Sequence, residues 1–477
     1  MKTNEGAFQH NHSLDHCVEF FSKAGSIFDT PTKQTFYDNN EDILTLFQQA
    51  WITDKEITFK LLLWLRDCRG GAGNRSGFRK CMNWLAKREE DHKWINENID
   101  QIPEVGRWDD LRSLFKTFSE KSAVTMWVDA LFDGNVLAAK WSDRKDIPVY
   151  LEMKNFSEIN NMGDFRRYLS KLRKDTIIES KMCKKDYSDI DYSHIPSVAM
   201  ARYTSAFHKN DGESFVKYKE SLSKGETTIN ADVLFPHDCI RTVKNGDHDI
   251  ANAQFDALPN YMKSDENIMV ICDSSGSMIS DVSGSISAYD VSTSLALYCS
   301  GKVDKDNPFY KKFIQFESES KFSDWDGMKF SEALGSGNSW HNTGMFNRAI
   351  GMTRIDKALD LLLNTGKMFK VDDKNMPSML LICSDMQFHQ GVRTDGDCTE
   401  VESCMKRWDD AGYTRPKIVY WNLVPYSGQQ ATVDDKNIGL VSGFSPSILK
   451  SVLSCDDFSP QAIMLKSLEK YHVFVPE

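Results

Sequence analysis

The chain has 477 residues, 40% of them hydrophobic, and a formal net charge of −11. That length exceeds one ordinary core and predicts two or three domains. The acidic balance argues against a protein that coats nucleic acid over its whole surface, yet leaves room for a local basic groove, because the first 250 residues are nearly balanced.

The opening stretch, MKTNEGAFQHNHSLDH, has no apolar signal-peptide core, and no run in the chain approaches eighteen apolar residues. Both observations predict a soluble, cytoplasmic protein with no membrane partner. The eleven Cys are scattered without a CxxC pair, which fits a reducing compartment and gives no zinc ribbon.

From about Leu14 to Leu234 the pattern is helical. Ile43, Leu44, Leu46, Phe47 and Trp51 repeat at i, i+3, i+4, with Asn39, Asn40 and Asp42 as cap candidates. The stretch from Ile57 to Leu65 is apolar nearly all round and predicts a buried helix. A break follows at Arg69-Gly70-Gly71-Ala72-Gly73-Asn74. Arg66, Arg69, Arg75, Arg79 and Lys80 surround it, and Arg forks with approachable glycine amides suit phosphate. The bland alternative is an interhelical turn with solvated arginines. Gly106-Arg107-Trp108-Asp109-Asp110 reads as a structural ion pair or cap. Arg166, Arg167, Lys171, Arg173 and Lys174, with Tyr168 and Tyr187 interleaved, form a second basic segment suited to single-stranded RNA, or else an ordinary basic helix face. Helices at this density suggest HEAT-type pairs, although no clean period of repeat emerges.

Residues 241–262 read as a connector, after which the rhythm becomes strand–loop–helix. Strands are expected at 268–272, 313–316, 378–383, 418–421 and 439–441, and helices at 286–300, 345–365, 400–411, 446–453 and 460–469. This alternation predicts a doubly wound, mostly parallel sheet. The first strand ends in Asp273, and Ser275 and Ser277 follow at alternating positions, so one carboxylate and two hydroxyls share a side of an extended loop. Hard oxygens at the carboxyl end of a parallel strand suit Mg²⁺ or Mn²⁺. Thr343, in a polar loop, and Asp385, after the strand Met379–Cys383, are the candidates for the remaining oxygens.

DSSGS, a later loop threonine and an aspartate closing a buried strand resemble the metal-ion-dependent adhesion site (MIDAS) of von Willebrand factor A domains. The resemblance implies that Ser275, Ser277 and Thr343 contact the metal, that Asp273 and Asp385 act mostly through water, and that a protein partner's acidic group completes the shell. LRDCRGGAGNRSGFRK, IPEVGRWDDL, AAKWSDR, FRRYLSKLRK, YSDIDYSHIPSVAMARY, SDMQF and GLVSGFSPSILK together resemble a family in which a TROVE-like helical domain precedes a von Willebrand A domain. The Ro autoantigen is the best-understood relative of that architecture. It implies an all-α, HEAT-like, RNA-binding domain over 1–262, then an α/β doubly wound, Rossmann-like A domain over 263–477.

Asn422 facing the metal crevice is the weaker of two readings of the Trp421-Asn422 strand end, and His341 lies beside the Thr343 loop. Trp421-Asn422 also reads as a core tryptophan with a polar strand end. No Ser-His-Asp, Cys-His or HExxH arrangement is present in the sequence, so nothing supports an enzyme. Two function classes follow. One is a ribonucleoprotein component with RNA on the helices and a protein partner on the metal site. The other is a metal-dependent protein-interaction scaffold without RNA.

Overall fold

The computed structural model describes residues 3, 9–27, 42–157, 159–173, 178–262, 267–279, 281–283, 286–316, 319–334, 353–389, 400–424, 426, 428–433, 435–455 and 458–476. Among these, every named element from His16 to Asp256 is helical. The first four are α1 (His16–Ala24), α2 (Ile43–Thr53), α3 (Lys55–Arg66) and α4 (Arg75–Ala86). Their starts follow the capping chemistry: Asp42, Asp54 and Asn74 each accept the N–H three residues on, at 3.3, 2.8 and 2.9 Å. Asp42 is thus the cap that the sequence offered, while Asn39 and Asn40 lie outside the described residues.

Among the described residues eight strands follow: β1 (Ile268–Asp273), β2 (Asp281–Ser283), β3 (Ile286–Ser287), β4 (Lys312–Phe316), β5 (Ser320–Asp324), β6 (Met379–Ser384), β7 (Lys417–Asn422) and β8 (Ile438–Ser442). The main sheet runs β5-β4-β1-β6-β7-β8, and β2 with β3 forms a separate ribbon. All main-sheet pairings are parallel except β4 with β5. A helical region followed by a mostly parallel α/β sheet is the architecture expected from the rhythm of the sequence. Two details differ. β5 is an antiparallel edge strand that the sequence reading passed over. Its residues, SKFSD, carry one large apolar side chain, and an edge strand needs little core pattern. The second difference is the expected connector at 241–262, most of which is helical. Pro236–Lys244 has Pro at its first turn, Asp238 accepts the Phe235 N–H at 3.0 Å, and His248–Asp256 packs against it.

Every residue of β1 and β6 is buried, and alternate side chains feed opposite cores. Val270, Cys272, Leu381, Cys383 and Trp421 join the first core; Met269, Ile271, Leu380, Ile382 and Tyr420 join the second. The second is closed by helices Ile355–Met368 and Glu400–Asp410. The first extends through helix Ala288–Ser300 into α1–α4, so the helical region and one face of the sheet share a continuous apolar interior.

Polar contacts reinforce that seam. Gly25 N–H donates to Ser442 Oγ at 3.0 Å, Ser442 Oγ donates to the Phe21 carbonyl at 2.6 Å, and Ser26 Oγ donates to the Asn422 carbonyl at 2.5 Å. From the other end of the chain, Lys470 and Tyr471 reach Asp67 at 2.6 and 2.9 Å.

His237 is sealed into the same seam at 4% exposure, its ring edge-on to Phe444 at 5.6 Å. Burial lowers its pKa, so the folded protein keeps it neutral while the unfolded chain binds a proton near pH 6.5. Its contribution to stability is therefore complete above pH 6.5 and declines as pH falls below it, by at most about 1.4 kcal/mol per pH unit. His237→Phe is expected to flatten the fall in melting temperature between pH 6.5 and 5. Parallel pH curves for the two proteins would show that His237 does not titrate on unfolding.

Candidate metal centre

The chain leaves β1 towards β4 on one side and β6 on the other, so the carboxyl ends of β1 and β6 form the switch point of the sheet, where open α/β sheets hold ligands. Asp273 ends β1, and Asp385 directly follows β6. The loop after β1 is pinned by Ser274, whose N–H and hydroxyl both donate to the Phe316 carbonyl at the end of β4, at 3.0 and 3.1 Å.

Asp273 Oδ1 accepts the Ser275 N–H at 2.9 Å, and Oδ2 accepts the Ser384 hydroxyl at 2.5 Å. Ser275 Oγ and Ser277 Oγ lie 3.1 Å apart. Asp385 Oδ1 accepts the Gln387 N–H at 3.1 Å. Met386 between them has φ 63°, a left-handed conformation costly for a side chain with a Cβ. Asp273 and Asp385 are fully buried, and Ser275 and Ser277 are 2% and 6% exposed. Thr343 and His341 lie outside the described residues.

Burial first, and the negative charge of Asp385 second, push the Asp273 carboxyl up to about 7. Asp273 has no ion-pair partner among the described residues, so two buried carboxylates press on one another. Asn422, at the end of β7, adds a buried amide oxygen without a hydrogen bond, lining the same small cavity as Asp385. Two carboxylates and two serine hydroxyls are an all-oxygen donor set that fits Mg²⁺ or Mn²⁺. Asp273, Ser275, Ser277 and Asp385 would hold such an ion, whose charge would offset their repulsion. Among the described residues no group of three or more His, Cys, Asp or Glu gathers in metal-holding geometry. Ser384 carries a contact to Asp273 that the sequence reading did not assign; its place immediately before Asp385 was the available signal.

The glycine-rich turn between α3 and α4 is structural. Every backbone N–H from Arg69 to Asn74 is already bonded, the first two to Asp67 Oδ1 and the rest to carbonyls. A Cβ on Gly71 would stand 2.0 Å from the Trp64 carbonyl oxygen, so only glycine permits this approach. No amide in the turn is left to cradle a phosphate. Two of its arginines are likewise committed. Arg66 Nε and Arg79 Nε pair with Asp110 at 2.7 and 2.6 Å, and Arg66 is 3% exposed. Arg69 and Arg75 are exposed and make no ion pair among the described residues.

In the helix Met162–Arg173, Phe165 and Leu169 are buried while Arg166, Arg167 and Lys171 are exposed. Arg173 instead bonds the Ala139 carbonyl at 2.6 Å and the Ser142 carbonyl, closing the end of helix Val136–Trp141. Tyr168 donates its hydroxyl to the Leu131 carbonyl at 2.7 Å, which anchors its partly buried ring. Lys174 lies outside the described residues.

Residues 267–472 match the model of a domain of unknown function (DUF7788), and residues 3–105 and 153–274 match that of a second (DUF2828). An uncharacterised protein of Acanthamoeba polyphaga mimivirus is 25% identical over 527 residues, covering 98% of this chain and 87% of the relative. The crystal structure of the Deinococcus radiodurans RO (RSR) protein aligns at a TM-score of 0.48 and 11% identity, covering 96% of this chain and 100% of that one.

Proposed function

We propose that this protein is an RNA-binding component of a ribonucleoprotein. Its helical region would take RNA, and its sheet would hold Mg²⁺ or Mn²⁺ at a MIDAS-like centre that engages a protein partner. The observation that carries the RNA part is the face of Met162–Arg173, where Arg166, Arg167 and Lys171 stand exposed over a buried Phe165–Leu169 edge. Arg166 and Lys171 make no ion pair among the described residues, and the Arg167–Asp164 pair is 81% exposed on its arginine side, where such pairs hold little energy. The finer assignment, TROVE-like HEAT-type helices over 1–262 ahead of a von Willebrand A domain, rests on the sequence motifs and on the strand order.

If phosphate contact dominates, RNA affinity should fall with salt by a slope of about −0.7 per phosphate neutralised on a single strand. Replacing Arg166, Arg167 and Lys171 together with Ala should weaken binding and flatten that slope. Asp273→Asn, which keeps the shape and removes the charge, should leave RNA binding intact and abolish any Mg²⁺-dependent rise in melting temperature. Purified protein free of nucleic acid, with no RNA affinity at low salt, would sink the RNA reading. The metal-dependent scaffold would then remain, favoured by the two buried carboxylates at the switch point. An unchanged Mg²⁺ response in Asp273→Asn would refute the metal assignment.

A further inference from the structure

A separate cleft of about 290 Å³ opens where the end of the helix His248–Asp256 meets the segments just before β4 and just after β5. Asp256, Lys302, Tyr310, Lys311, Trp325 and Lys329 line it. Its aromatic wall is held in place. Trp325 Nε1 donates to Ser300 Oγ at 3.0 Å, and Gly301 leaves room for the ring, since a Cβ there would stand 2.8 Å from it. Lys311 Nζ lies 4.5 Å from the Trp325 ring centre and 5.6 Å from that of Tyr310. Lys311 also reaches Asp326 at 3.6 Å. Lys302 and Lys329 have no carboxylate within ion-pair distance among the described residues, yet their charges and that of Lys311 all bear on Asp256. Burial raises the Asp256 carboxyl against that pull.

We propose that this cleft binds a nucleoside phosphate, free or as the phosphorylated end of a strand. Lys302 and Lys329 would take the phosphate as mobile point charges. The ring of Tyr310, half-buried at the mouth, would meet the base, since base–aromatic stacking tolerates any base. Asp256 would accept the ribose hydroxyls, with the lysines offsetting its charge against the phosphate. The size of the cleft suits one nucleotide and excludes a duplex. The inference is independent of RNA binding by the Met162–Arg173 face, which lies on a different helix.

The test is calorimetric titration of the full chain with AMP, adenosine, and an RNA hexamer with and without a 5′-phosphate. AMP should bind at least about tenfold tighter than adenosine, the minimum expected of one charge-assisted contact. Lys302→Ala and Lys329→Ala should each remove most of that difference. Asp256→Asn should weaken AMP relative to inorganic phosphate, titrated alongside, whose affinity should hold or rise as the carboxylate charge is lost. The Arg166/Arg167/Lys171 triple variant should bind AMP as wild type does, which keeps a failure here distinct from a failure of the RNA reading. A hexamer that needs its 5′-phosphate and Lys302 identifies a strand end as the source; AMP binding without hexamer binding in the cleft identifies a free nucleotide. Equal affinity for AMP and adenosine, or AMP binding unmoved by both lysine variants, would overturn the proposal.

Discussion

Asp110→Ala is expected to destabilise the protein by about 3–5 kcal/mol, the usual result of stripping one partner from a buried ion pair. Asp110 is fully buried and accepts from three directions: Arg66 Nε at 2.7 Å, Arg79 Nε at 2.6 Å and the Arg107 N–H at 2.9 Å. Arg66 has no water to fall back on, being 3% exposed, so the loss leaves a guanidinium stranded in the core. Gly106 belongs to the same device: a Cβ there would lie 2.5 Å from Asp110 Oδ2 and 2.8 Å from Arg66 Nε. Asp109→Ala should cost far less, because its partner Arg79 keeps Asp110 and retains solvent access. Urea midpoints measured with unchanged slopes give both differences directly. A shift below about 1 kcal/mol for Asp110→Ala would mean that Arg66 finds another partner or reaches water.

This ion-pair cluster marks where the sequence was legible and where it was not. Arg-Trp-Asp-Asp read as an ion pair or a cap; the cap forms, with Asp110 accepting the Arg107 N–H, but the acids pair with Arg66 and Arg79 while the Arg107 guanidinium lies 4.5 Å from the Trp141 ring centre. The partner arginines, 31 and 44 residues away in the chain, read as phosphate contacts because sequence spacing carries no information about which charges meet across helices. The strand ends were legible for the opposite reason. A fully apolar run followed at once by Asp or Ser-Asp can only bury its strand and deliver its carboxylate to the sheet's carboxyl edge, so Asp273 and Asp385 meet as expected. The exposed face of Met162–Arg173 followed from helical spacing alone, whereas the tie from Arg173 to the Ala139 carbonyl did not. Contacts between α1 and β8 were invisible, because Gly25, Ser26 and Ser442 are small polar residues whose pairing depends on the finished packing.

Trp64→Ala should cost about 3–5 kcal/mol, the range for deleting a large aromatic side chain from a packed core, and should loosen both halves of the molecule together. Trp64 is 1% exposed on α3, its ring centre 4.6 Å from that of Phe21 on α1. α1 in turn packs on β8, and α3 packs on the helix Pro460–Leu468 that follows it. The cavity therefore opens in an interior that runs unbroken from the first helices to Trp421 and Val441 in the sheet. Removing contacts there lowers the free energy of opening for every element that leans on that interior, not for α3 alone. Hydrogen exchange read by mass spectrometry gives the distribution. Peptides from β7 and β8 should lose protection in step with those from α1 and α3, and melting should remain a single transition. Sheet peptides that keep wild-type protection while α1 and α3 open would show two independently stable halves. The contacts of Ser26 and Ser442 across the seam would then be docking between finished domains rather than part of one core.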